Sequence, residues 1–238
     1  MMIKKEPSVS IVIPVYNNCE TIEKVIDSVF KQNYKNKEVI ILDDCSTDGT
    51  LKKIKKNKFR NRFKFIRNDE NLGLVKSLNK GIKTSKGEFI VTLLGDCWAE
   101  DGDWLRLLLE PFRDEEIIAS TPIVKYPRWL WEKFDPFTKK LTKEEVGTRL
   151  TNLNQKGVAY RREVLFKVGL FDEKTFRNFG EDFDMIAKLK PLGKTYHGTK
   201  GIIIHEHPLN KKEILKKINL MEGPLGYCLG FMDSNYIN

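Results

Sequence analysis

Four places in this chain gather side chains that could do chemistry, and three of them end an apolar run. Residues 88–94 (EFIVTLL) stop at Gly95-Asp96, residues 37–42 (KEVIIL) at Asp43-Asp44, and residues 201–204 (GIII) at His205-Glu206-His207, while residues 179–184 read FGEDFD. Short runs rich in β-branched and apolar residues, bounded by glycine and polar clusters, are the pattern of buried parallel strands. Open parallel sheets bind ligands just beyond the carboxyl ends of their strands, so an acid delivered there is placed for a metal or a phosphate-bearing substrate. The bland alternative is that Gly95-Asp96 only turns the chain, and that Asp43-Asp44 opens a turn before a helix capped by Ser46 or Thr47.

The elements that must position these groups follow from periodicity. Residues 8–15 (SVSIVIPV) read as a first strand, closed by Pro14 and the polar cluster Tyr16-Asn17-Asn18. Ile22, Val25, Ile26, Val29 and Phe30 then recur at helical spacing, as do Leu74, Leu78 and Ile82 after a third strand at 63–66. This alternation predicts an α/β fold with a mainly parallel central sheet covered by helices on both faces. Beyond it, residues 101–112 read as a helix with Trp104, Leu105, Leu108 and Leu109 inward, 117–124 as a strand, and 154–169 as a strand and helix. A last helix buries Met185, Ile186 and Leu189. Residues 125–150 show no period: Trp129, Trp131, Phe134 and Phe137 are either an acceptor-binding loop or a small satellite core. No nucleic-acid motif accompanies them, so no nucleic-acid partner is expected.

The chain has 238 residues and a formal charge of +9, enough length for one large domain and a charge suited to an anionic substrate or an acidic surface. The lysines are scattered over many segments, however, so a solvated, lysine-rich surface is the favoured explanation. Cys19, Cys45, Cys97 and Cys228 form no CxxC pair, and neither a signal peptide nor a membrane-spanning run is evident. A cytoplasmic protein is the expectation.

Three blocks, SVSIVIPVYNN at 8–18, EVIILDDCSTDGT at 38–50 and NLGLVKSLNKGIKTSKGEFIVTLLGD at 71–96, together resemble the nucleotide-sugar-binding half of the family 2 glycosyltransferases. The resemblance continues more loosely to about residue 210. It implies a single GT-A (nucleotide-diphospho-sugar transferase) domain over 1–238: a donor-binding half at 1–98, an acceptor and catalytic half at 99–210, and a C-terminal basic helix with an apolar tail at 211–238. It implies an inverting transfer from a nucleotide-diphosphate sugar, most simply a UDP-sugar, to an acceptor hydroxyl on a glycan or lipid-linked carrier.

By the same resemblance Pro14 and Tyr16 flank the base, and Asp44 accepts the base N–H. Leu94-Gly95-Asp96 stands where relatives carry Asp-x-Asp, so Gly95 and Asp96 contact the sugar diphosphate and only the second acid remains. One carboxylate with substrate phosphates can still hold Mg²⁺ or Mn²⁺. Lys76 could add positive charge to the diphosphate. Asp182 is the expected general base and Glu181 its neighbour on acceptor or donor hydroxyls; the competing reading is that acids in a first helical turn complement the dipole. A histidine completes the metal site in similar transferases, and His205 or His207 is that ligand. At most one of the two is expected to reach the site if the strand persists.

Lys211, Lys212, Lys216 and Lys217 beside the apolar stretch 224–232 could rest on an anionic membrane, or dock on the domain or a second copy. Two other functions stay open. A non-catalytic sugar-nucleotide or membrane-surface module is one; a sugar nucleotidyltransferase is the other, although the glycine-rich, Arg-containing loop of such enzymes is absent after the first strand.

Overall fold

The computed structural model describes residues 6–139 and 153–207. Calls on the C-terminal helix and tail, and on 140–150, lie outside them. A seven-stranded sheet has the order β3-β2-β1-β4-β8-β6-β9. Its first four members are β1 (Val9–Val15), β2 (Lys37–Asp43), β3 (Lys64–Arg67) and β4 (Phe89–Leu93), all mutually parallel. β8 (Lys156–Arg161) runs antiparallel between β4 and β6 (Ile117–Ser120), and β9 (Lys194–Tyr196) closes the far edge parallel to β6. The mainly parallel sheet expected from the sequence is therefore present.

Both faces are covered. Alternate residues of β1 point opposite ways: Ile11 and Ile13 pack with Ile22, Val25, Ile26 and Val29 of α1 (Ile22–Phe30), while Val12 packs with Val75, Leu78 and Ile82 of α3 (Leu74–Lys83). Between them, α2 (Thr50–Lys56) buries Ile54 on the α1 side.

Three expectations change. A three-residue strand, β5 (Cys97–Ala99), follows β4 without having been anticipated. The helix expected at 101–112 is α4 (Trp104–Leu109) followed by a 3₁₀ turn, because Pro111 cannot donate into a continuing α-helix. The single strand expected at 117–124 is two strands, β6 and β7 (Ile123–Lys125), in different sheets. Thr121-Pro122 makes the break, since Pro122 has no N–H for a ladder while Thr121 N bonds Tyr196 O and Ile123 N bonds Gly201 O, both at 2.9 Å. The second sheet, β5-β10-β7, is completed by β10 (Ile202–His205).

Of the two readings of the aromatic segment, its described part is a small core. α5 (Arg128–Lys133) buries Leu130 with Tyr126 and Phe134, and Trp131 packs against them, while Trp129 is 51% exposed. The last helices are α6 (Arg162–Lys167) and α7 (Glu181–Leu189).

Candidate active site

The carboxyl ends of β1, β2 and β4 and the amino end of β8 share one edge of the large sheet. The chain leaves β1 toward β2 and β3, then returns to β4 on the other side, so the topological switch point, where open α/β sheets form their ligand crevice, falls between β1 and β4. Pro14, which has no N–H to give, lies buried past the last β1–β4 pair, Val12↔Thr92. Tyr16, just beyond the strand, is 48% exposed.

At the end of β4, Leu94 packs against the core. Gly95 is fixed by its neighbours: an added Cβ would lie 2.4 Å from Asn18 Oδ1 and 2.9 Å from Val15 Cγ1. Its carbonyl accepts from Thr21 Oγ1 at 2.7 Å, and Asn18 Oδ1 accepts from Tyr16 N at 2.9 Å. The β1 and β4 ends are thereby sewn together around a position with no room for a side chain.

Asp96 follows, with 15% of its side chain exposed, and meets both histidines. His205 Nε2 is 3.6 Å and His207 Nδ1 3.3 Å from Asp96 Oδ2. The small sheet does this: antiparallel β5 and β10 set Cys97 opposite His205, and Glu206 N donates to Asp96 O at 2.9 Å. His207 lies two positions beyond His205, the spacing that returns a side chain to the same face of an extended chain, and β10 ends at His205. The expectation that one imidazole alone faces the site is thus corrected; the two rings stack, centroids 5.9 Å apart and 5° from parallel. Tyr126 supports His205 from the aromatic core at 5.2 Å. Burial pushes the Asp96 carboxyl up, but the imidazoles, His205 before His207, outweigh it and hold it well below the carboxylate range. Ligand atoms of Asp96, Cys97 and His205 all lie within 4.8 Å of one another. A carboxylate and an imidazole nitrogen within that distance, with a second imidazole nitrogen 3.3 Å from the same carboxylate, form a donor set that fits a divalent cation.

Asp44 is buried and largely occupied by its own chain. Its Oδ1 accepts from Asn68 Nδ2 at 2.8 Å and Leu72 N at 2.9 Å, and its Oδ2 from Gly73 N at 2.8 Å. A carboxylate has about four acceptor positions, so one is left. Neither Ser46 nor Thr47 caps the following helix; Thr50 N bonds Asp48 Oδ1 at 3.0 Å, while Ser46 and Thr47 bond Asn17. Asp43 is buried with Arg67 Nε 3.2 Å from its Oδ2. Lys76 is exposed on α3, beside Asn71 and Arg177 in a polar hollow.

Glu181 and Asp182 open α7 behind Gly180, whose φ is 89°. The approach to this helix is fastened to α3: Leu74 N bonds Asn178 Oδ1 at 3.1 Å, Val75 N bonds Arg177 O at 3.0 Å, and Arg177 Nη2 bonds Asn71 O at 2.8 Å. Gly73, at φ 91°, leaves no space for a side chain, since a Cβ would sit 2.5 Å from Arg177 Cγ. Glu181 is 4% exposed, and its Oε2 has no hydrogen-bond partner among the described residues. Burial first, and then the Asp182 charge, push its carboxyl up to about 7, against a lowering pull from Lys156. A network not anticipated from sequence lies beneath: Gln155 Oε1 accepts from Thr92 Oγ1 at 2.8 Å and Tyr160 OH at 3.2 Å, tying β4 to β8. Burial and the Asp182 and Glu181 charges raise the Tyr160 hydroxyl, which thus stays a neutral donor. Gln155 adopts φ 60°, and nothing in its sequence context signals that.

The family model described as Glycosyl transferase family 2 matches residues 10–169. The putative glycosyltransferase EpsE of Bacillus subtilis is 39% identical over 92 residues, covering 38% of this chain and 33% of that protein. Glycosyltransferase AglE of Haloferax volcanii is 31% identical over 150 residues, covering 60% and 49%. The chain thus spans at most about half the length of these relatives. Among solved structures, the mannosyltransferase PcManGT of Pyrobaculum calidifontis, in complex with GDP-Man and Mn²⁺, superposes with TM-score 0.68 at 19% identity, covering 88% of this chain and 59% of that one. GalNAc-T7 with UDP, GalNAc and Mn²⁺ gives 0.68 at 22%, covering 87% and 45%. At these identities the likeness establishes the GT-A architecture.

Proposed function

The chain belongs to glycosyl transferase family 2, and from that premise we propose that it transfers a sugar from a nucleotide-diphosphate sugar, most simply a UDP-sugar, to an acceptor hydroxyl on a glycan or lipid-linked carrier, with inversion at C1. The observation that carries this reading is the convergence of Asp96, His205 and His207 at the β4 end of the switch-point crevice. In this reading the crevice takes the donor: Pro14 and Tyr16 border the base, the remaining acceptor position of Asp44 reads its N–H, and the backbone at Gly95 approaches the sugar diphosphate closely. Asp96, His205 and His207 would hold the divalent cation, which neutralises charge on the leaving diphosphate. Imidazole donors favour Mn²⁺ over Mg²⁺, whose preference is for oxygen. Lys76 adds positive charge from α3.

Asp182 removes the proton of the attacking hydroxyl in the proposed reaction. It stands in the first turn of α7, while Glu181, its carboxyl raised to about 7 by burial, hydrogen-bonds a sugar hydroxyl. The test is release of free nucleotide from a panel of nucleotide sugars with Mn²⁺, with and without acceptor. Acceptor-dependent release from one donor supports the proposal; tight donor binding with no turnover for any acceptor would favour a non-catalytic binding module. Location at the cytoplasmic face belongs to the same reading: no helix among the described residues is long and apolar enough to cross a membrane.

A further inference from the structure

The net charge is not spread over the molecule. Residues 50–67 (TLKKIKKNKFRNRFKFIR) hold nine of the 42 basic residues and none of the 33 acidic ones, so the rest of the chain balances 33 basic against 33 acidic. The fold gathers these residues at one margin. α2 lies beside α1, and β3 is the terminal strand of the large sheet, so helix, connecting turn and strand form one edge face. Glu23, Asp27 and Asp43 pair with Lys53, Lys58 and Arg67. Among the described residues no carboxylate lies within 4.0 Å of Lys52, Lys55, Lys56, Arg60, Arg62 or Lys64.

We propose that this α2–β3 edge face is a docking surface for the anionic headgroups of a phospholipid bilayer. Cations on an edge strand also discourage strand pairing between molecules, which accounts for Lys64 and Arg67 but not for the lysines of α2. The rings in this segment argue against a single-stranded nucleic acid. Phe63 is buried, Phe59 stacks on Phe30 at 4.6 Å, and Arg60 and Arg62 already lie over Phe63 and Phe59 at 5.3 and 5.5 Å, so no open aromatic face awaits a base. A face of outward cations with its aromatics sealed from behind adsorbs to headgroups electrostatically, without inserting. This inference is independent of the transferase reading and of the C-terminal basic helix.

The test is co-sedimentation of the full chain with vesicles of phosphatidylcholine containing phosphatidylglycerol, against phosphatidylcholine alone. Binding is expected only to the anionic vesicles at about 0.1 M salt and is lost near 1 M, where screening falls to about 3 Å. Neutralising Lys52, Lys55 and Lys56 to Gln, all exposed, should lower partitioning by roughly a hundredfold with unchanged thermal unfolding. Asp182→Asn should bind like the wild type, which separates this result from catalysis. Retained binding in the triple variant, loss on neutralising Lys211, Lys212, Lys216 and Lys217 instead, or tighter binding to an oligouridylate at equal salt would each overturn the proposal.

Discussion

Glu181 and Asp182 are neighbours in sequence, the first buried and the second half-buried, and each can be tested alone. Glu181 is buried and its carboxyl raised from 4.5 to about 7. Below about pH 4.5 it is protonated folded or unfolded and costs nothing; as pH rises to 7 the unfolded chain ionises it while the fold does not, and stability is lost across that window. Glu181→Gln should therefore match the wild type in urea unfolding at pH 4.5 and exceed it by on the order of 3 kcal/mol above pH 7. A difference that does not grow with pH would contradict the burial argument. Asp182→Asn should keep donor affinity while turnover falls roughly 10²–10⁴-fold; near wild-type turnover removes Asp182 from the role of base. At this scale the acids were legible, because each followed an apolar run or opened a periodic helix. Their surroundings were not. The Gln155 bridge depends on a left-handed backbone that its neighbours do not announce, and both histidines reach Asp96 because β10 pairs with the short β5, which no apolar run marks.

Elements place these residues through their ends. Asp44 takes the amides of Leu72 and Gly73, and Asn178 takes that of Leu74, so the start of α3 is tied to β2 on one side and to the approach of α7 on the other. Asp44→Ala would leave the Leu72 and Gly73 N–H groups buried without their acceptor. Bonds to a charged partner contribute about 1.5–3 kcal/mol each, so a loss of roughly 3 kcal/mol in chemical denaturation is expected. Asn178→Ala removes one neutral acceptor and should cost about 1 kcal/mol. Equal, small losses for the two would show that Asp44 does not organise this helix start. The strands with long apolar runs and the helices with clear stripes were readable, since burial on both faces writes itself into composition. The division of 117–124 was hidden because residues on either side of Pro122 are apolar for two different sheets, and β5 has three residues whose partner lies about a hundred positions away.

For the whole molecule, ligand linkage offers a measurement that needs no acceptor. A ligand that binds only the folded chain raises its melting temperature, so UDP with Mn²⁺ should shift unfolding upward by several degrees, about 3 kcal/mol at a hundredfold excess over Kd. The shift should vanish in Asp96→Ala, and an unchanged shift there would place the cation elsewhere. The parallel half of the sheet and its helices were foreseen from the βα alternation; the antiparallel β8, wedged between β4 and β6, was not, because strand direction leaves no mark on composition. That wedge has a practical result. β8 and β10 come from the later part of the sequence, yet each is laid between strands of the earlier part. A protease site engineered between positions 139 and 153 should therefore yield two fragments that travel together on gel filtration and separate only in denaturant, making the protein a natural candidate for assembly from two separately expressed pieces.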